Sequence, residues 1–181
     1  MIDPVVGYWI VIGVALLLAG AAVHKLRDRQ RFTEILVAYR VLPQALAQRS
    51  AGLIPCLELA AAALLGWSLR GHPLAALPAI SLLVLYALGL SVNLARGRYD
   101  LDCGCEWAGG RRPIASWMVW RNALLALALA SSLLPWSPRV FTSADGLLLA
   151  SGLVVAAILY AGIDRLLGEI VPKTLALRGR P

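Results

Sequence analysis

The sequence predicts an all-α fold: an integral membrane bundle of about five transmembrane helices, with an amphipathic surface helix after the first span. Three observations lead there. The 181-residue chain is 60% hydrophobic. Only 15% of it is charged, against about 25% in an ordinary soluble domain. Long stretches carry no charge at all, which a soluble helix needing a wet face could not tolerate.

Five segments are long enough to cross a hydrocarbon core that requires about 20 apolar residues; they run over 5–23, 51–69, 74–95, 114–136 and 146–163. The first begins Met1-Ile2-Asp3-Pro4, without a positive residue, and its apolar run is long for a signal peptide. It is read as a retained helix. In the connection that follows, Phe32, Ile35, Leu36 and Tyr39 share one helical face, Arg29, Arg31, Glu34 and Arg40 lie elsewhere, and Pro43 ends the pattern. That spacing fits a basic amphipathic helix over about 30–42 on the membrane surface; a connecting helix packed on the bundle is the other reading. Arg70-Gly71-His72-Pro73 is a tight turn, so spans two and three are antiparallel neighbours and His72 is a turn residue. Pro135 and Pro138 end span four, and 173–181 form a basic tail. No repeat divides the chain, and 1–181 reads as a single transmembrane domain.

The net charge of +7 would suggest nucleic acid in a soluble chain, but most of the bases flank apolar spans, so nucleic acid is not an expected partner. Five crossings put fourteen Lys and Arg residues on the side of the first long loop, the 96–113 loop and the C-terminus, and only Arg70 and Arg139 on the other. The positive-inside rule then places the N-terminus outside and the C-terminus in the cytoplasm. Three cysteines are too few for a disulfide-stapled secreted scaffold.

The chemistry-bearing residues gather at the base-rich rim. The loop after span three reads Asp102-Cys103-Gly104-Cys105-Glu106-Trp107. Two thiols separated by one glycine can close a small, strained and readily reduced disulfide ring, of the kind suited to exchange. Asp102 and Glu106 oppose the thiolate, whereas Arg98, Arg111 and Arg112 favour it. Two incidental thiols are the plain alternative. A metal site would need Cys56 and His24 to complete a zinc shell, and no metal is expected. Cys56 lies roughly 7 Å into span two, where it is either a third thiol able to approach the pair, if spans two and four are neighbours, or a packing residue.

Glu58 and Arg121 are the charges inside the spans, each roughly 10 Å deep from the same face. Ionisable groups at such depth turn inward to a partner, so a buried Glu58–Arg121 pair between spans two and four is expected, either functional or a packing clamp. His24, Lys25, Asn93 and Asn122 add polarity at this end. Trp107, Trp117, Trp120 and Trp136 bracket span four as interfacial anchors, and Trp117 shares a face with Arg121 for a cation–π contact. These aromatics could stack a quinone, though no motif specifies one, and no cofactor is otherwise expected.

Asp102-Cys103-Gly104-Cys105, then Ser116-Trp117 and Arg121-Asn122, resemble the methylamine-utilisation MauE family, within the DoxX-like group of small bacterial membrane proteins. His24-Lys25-Leu26, Phe32, Tyr39, Pro43, and Glu58 leading into Leu64-Leu65-Gly66 resemble its front half. The resemblance covers the chain to about residue 134. It implies a DoxX-like four-helix core plus one helix in the bacterial inner membrane, and a redox-associated protein that helps mature periplasmic proteins through their disulfides, beside a thioredoxin-like partner. Cys103 and Cys105 would be the redox pair, with Glu58 and Arg121 supporting. Glu106-Trp107 stands where the family has Phe-Gly, which puts a shared substrate in doubt. The charge bias places the pair on the cytoplasmic side, where it could take electrons from a cytoplasmic reductant or pass them to a quinone.

The expected function is therefore a membrane thiol–disulfide redox protein using Cys103 and Cys105, with Cys56 as a relay and Glu58, Arg121, Asn122 and His24 supporting. It would serve the maturation of, or electron supply to, a partner protein. The alternative is a non-enzymatic scaffold holding a soluble redox partner through Arg27, Arg29 and Arg31. Solute transport is third, because five short helices lack a duplicated half with broken helices, although a homo-oligomer could supply a pathway.

Overall fold

The computed structural model describes residues 1–104 and 113–178. They form six helices: α1 (Pro4–Arg27), α2 (Arg29–Tyr39), α3 (Gln44–Ser68), α4 (Leu77–Ala95, preceded by a 3-10 turn at Pro73–Ala76), α5 (Ser116–Ser131) and α6 (Ser143–Arg178). The chain divides into two units, 1–137 holding α1 to α5 and 138–181 holding α6.

In the first unit α1 packs on α3, α3 on α4, α4 on α5 and α5 back on α1. This closes a four-helix bundle, with α2 laid against α3. The buried positions recur at helical spacing: Val11, Val14, Leu18 and Ala22 on α1, Ala61 and Leu65 on α3, Ala79, Leu82 and Leu83 on α4, Ala126 and Leu129 on α5. The outward faces are equally apolar, with Leu16, Leu85 and Leu127 all at least 60% exposed. Water would not tolerate such a belt; lipid requires it.

Among the described residues four helices are long and apolar enough to cross a membrane: Pro4–Arg27, Gln44–Ser68, Pro73–Ala95 and Ser143–Ile163. The chain is thus a multi-pass membrane protein. The expected fourth span over 114–136 is shorter as a helix. α5 has 16 residues, about 24 Å at 1.5 Å per residue, against a hydrocarbon core of about 30 Å. The apolar run at its end is used otherwise. Ile2 N–H donates to the Pro135 carbonyl (3.0 Å) and Ser137 N–H to the Ile2 carbonyl (2.8 Å). Trp136, expected as an interfacial anchor, packs against α1: its ring fills the space over Gly7 and meets Tyr8 edge-on at 5.2 Å.

The entry to α2 is built from one residue. Asp28 N–H donates to the His24 carbonyl and closes α1, while its carboxylate accepts from Arg31 N–H (3.1 Å) and caps α2, the ordinary work of an N-cap aspartate. The amphipathic helix expected over 30–42 is α2, and its apolar face turns to the protein: Phe32 and Ile35 are buried. In the second unit, Asp145 accepts from Thr142 N–H (2.8 Å) and from Arg139 (2.8 and 3.0 Å), anchoring the start of α6. That helix runs well past the expected span, which reached only 163.

Candidate functional site

The site begins where α4 ends. Gly97 adopts φ +71°, Gly97 N–H donates to Leu94 and Arg98 N–H to Asn93, a Schellman stop that needs a left-handed residue. It delivers two arginines to the end of α2. Arg96 donates to the Arg40 carbonyl (3.1 Å), and Arg98 to the Tyr39 carbonyl (3.2 Å) and to Asn93 Oδ1 (3.1 Å). Guanidinium groups at a helix C-terminus satisfy orphan carbonyls and oppose the dipole. Arg98, expected to favour the thiolate, is instead spent holding α2.

The cysteine loop is pinched at its base. Asp102 and Pro113 form an antiparallel bridge, and Ile114 N–H donates to the Leu101 carbonyl (2.8 Å). Asp102 then organises the turn with both oxygens: Oδ1 accepts from Gly104 N–H (3.2 Å), and Oδ2 takes the Arg31 guanidinium (2.7 Å). Gly104 has φ +68°, and a Cβ there would meet Ile35 at 3.0 Å and Phe32 at 3.9 Å. Glycine is needed twice, for the left-handed backbone and for the close approach of α2. Cys103 is not a thiol in an open loop; it is 8% exposed, clustered with Leu90, Ile114 and Met118. Beside it a cleft of about 620 Å³ opens between α2 and the loop, lined by residues including Asp28, Arg31, Glu34 and Asp102. Cys105, with Glu106, Trp107, Arg111 and Arg112, lies outside the described residues.

The expected Glu58–Arg121 pair does not form. α3 and α5 stand diagonally across the bundle, each packed on α1 and α4, so spans two and four are not the neighbours that pair required. Glu58, fully buried, instead binds Lys25 of α1 through Oε1, and Tyr86 of α4 donates to the same oxygen at 2.6 Å. Lys25 is 7% exposed; its Nζ lies 5.2 Å from the Phe32 ring centroid and 4.7 Å from that of Tyr86. Among the described residues no hydrogen bond reaches Glu58 Oε2. Removing one partner from such a buried pair costs about 3–5 kcal/mol. Arg121 sits over the Trp117 ring at 5.3 Å, the expected cation–π contact.

The other candidates are scattered. Cys56 is exposed on α3, next to the buried Pro55; it is not a packing residue, and it is not bonded to Cys103. Asn122 turns its amide to its own helix at the Met118 carbonyl (2.9 Å). His24 is half-buried at the last turn of α1.

Sequence reasoning missed Tyr86 altogether, and the partners of Lys25 and Arg31. The sequence places Lys25 among the polar residues of this rim without a partner, yet it continues the inward stripe of Val11, Val14, Leu18 and Ala22, and extending that stripe by one turn points it into the bundle. Arg31 and Asp102 are 71 residues apart, and no local signal joins them.

The family described as "Methylamine utilisation protein MauE" matches residues 3–137, nearly the extent of the first unit. The chain is similar to methylamine utilization protein MauE of Methylophilus methylotrophus, 37% identical over 174 residues, covering 92% of this chain and 88% of that one. It is equally similar to MauE of Paracoccus denitrificans, 37% identical over 152 residues, covering 82% and 81%. MauE of Methylorubrum extorquens is 37% identical over 156 residues, covering 86% and 82%. No solved structure matches it.

Proposed function

This chain belongs to the MauE family of methylamine utilisation proteins, and on that premise we propose that it is a membrane thiol–disulfide redox protein whose working pair is Cys103 and Cys105. Its task would be maturation of, or electron supply to, a partner protein in methylamine utilisation. The observation that carries the reading is the Cys103–Gly104 turn. Asp102 holds it through Gly104 N–H, Arg31 holds Asp102, and Phe32 and Ile35 press on it from α2. A backbone fixed at φ +68° between the two thiols favours a geometry that an incidental pair in a loop would not need.

In the exchange, one thiolate attacks a partner disulfide and forms a mixed disulfide; the second thiol displaces the partner's sulfur, so two electrons and two protons pass to the partner. A thioredoxin-like protein is the partner class that the family resemblance suggests. Cys56, exposed on α3, is left out of this pathway. The charge bias favours an inner-membrane orientation with the pair on the cytoplasmic side.

The scaffold reading is weaker because its basic face is partly occupied. Arg31 is engaged by Asp102, and Arg29 lies against Gly52 of α3.

The test is direct. Cys103→Ser or Cys105→Ser should abolish methylamine-dependent maturation of the partner; full activity in the double serine variant would defeat the proposal. A membrane-impermeant maleimide, applied to intact and lysed spheroplasts with and without reduction, reads sidedness and disulfide state together.

A further inference from the structure

We propose that Arg29, laid over Gly52 of α3, and Arg49, one turn earlier on that helix, hold the phosphate of an anionic phospholipid whose acyl chains run down the exposed leucines of the same face. The site is separate from the cysteine loop and independent of the redox reading.

The first observation is the fit at Gly52. A Cβ there would stand 2.8 Å from Arg29 Nη2 and 3.3 Å from its Cζ, so the guanidinium lies directly on the α3 backbone. Glycine weakens a helix interior relative to alanine; here its missing side chain is the space that the guanidinium occupies. The second is charge. Arg49 is exposed and stands three residues before Gly52, a spacing that makes neighbours on a helix surface. Among the described residues neither arginine has a carboxylate partner; the ion pairs there are Lys25–Glu58, Arg31–Asp102 and Arg139–Asp145. The acids of α2 and its cap are engaged elsewhere, Asp28 by Arg31 N–H and Glu34 by Gln30. Two guanidinium groups gathered on one surface without an acid repel each other and are complementary to an anion.

Depth and the apolar surroundings decide which anion. The 25 residues of α3 span about 37 Å, more than a hydrocarbon core of about 30 Å. Trp67, 52% exposed at the far end, suits the opposite interface. Counting about 20 residues back from it sets the near boundary beside Ala47, so Arg49 and Gly52 lie close to headgroup level, where arginine reaches up to phosphate. Leu46, Leu53 and Leu57 are 49%, 58% and 45% exposed and share a face with Arg49 by helical spacing. A phospholipid matches both halves of this surface, its phosphate the guanidinium groups and its chains the leucines. A soluble anion would match the charges and leave the leucines uncovered.

The experiment titrates the full chain in detergent with phosphatidylglycerol, and with phosphatidylcholine of the same acyl chains, and counts bound lipid by native mass spectrometry. Phosphatidylglycerol should bind more tightly. A base beside an anionic headgroup contributes about fivefold in affinity, so Arg29→Gln and Arg49→Gln should each weaken phosphatidylglycerol by that factor, and the double variant by about 25-fold. Phosphatidylcholine binding should not change. Arg27→Gln, which takes an exposed base from the same rim, should leave both lipids unaffected. Gly52→Ala keeps every charge, but its methyl group displaces the Arg29 guanidinium. It should therefore match Arg29→Gln in lipid affinity while its melting temperature without lipid does not fall. Equal affinity for the two lipids would overturn the proposal, as would an Arg27→Gln loss as large as that of Arg49→Gln, or wild-type phosphatidylglycerol binding in Gly52→Ala. Displacement of the lipid by inorganic phosphate at the same concentration would also overturn it, because the anion would then be held without its chains.

Discussion

Replacing Lys25 by methionine removes the cation and keeps most of the volume. Glu58 would then stand fully buried with only the Tyr86 hydroxyl to stabilise it. Stripping one partner from a buried ion pair costs about 3–5 kcal/mol, because the charge that remains has neither water nor a counter-ion. The surviving Tyr86 hydrogen bond keeps the expected loss within that range rather than above it. In a domain of this size each kcal/mol moves the melting temperature by about 2–4 °C, so the variant should melt about 6–20 °C below the wild type. The double variant Lys25→Met/Glu58→Leu removes both charges and both desolvation costs, and apolar replacement of a buried pair is commonly neutral or stabilising. It should therefore melt within a few degrees of the wild type. Thermal unfolding of Lys25→Met, Glu58→Leu and the double variant in one detergent, followed by circular dichroism, completes the cycle. A double variant as unstable as the two single losses added together would show that the residues do not act as a pair, and would refute the reasoning.

Gly104→Ala places a Cβ at φ +68° and within 3.0 Å of Ile35. A left-handed L-residue costs about 1–2 kcal/mol, so the loop should loosen, with a lower melting temperature and faster maleimide labelling of Cys103. Arg31→Ala removes the 2.7 Å bond to Asp102; with the pair 27% and 13% exposed, solvent screening keeps the stability loss near about 1 kcal/mol or below. Its larger effect should be on Cys103 labelling, and Asp102→Asn, which keeps an acceptor for Gly104 N–H, should lie between the two; equal labelling in all three proteins would show that Arg31 does not steady the loop.

The membrane class was legible because it depends only on sums along the chain: runs of leucine, alanine and valine too long and too uncharged for water say so whatever they pack against. The helix over Phe32 and Tyr39 was similarly local, decided by residues within a turn or two of one another. Partnership across the bundle was not. Glu58 and Arg121 share a depth, and depth is what rise per residue can deliver; which helices are neighbours is decided by how four apolar stripes close on each other. That closure put α5 diagonal to α3 and brought Lys25 and Tyr86 to the carboxylate instead. Arg31 reached Asp102 for the same reason, since folding α2 back over the loop erases 71 residues of separation that no periodicity spans. The sequence alone thus determined the solvent this protein lives in and the end of the bundle at which the Cys103 loop lies. The tertiary structure alone decided which charges meet, because a buried charge takes whichever partner the packing leaves within reach.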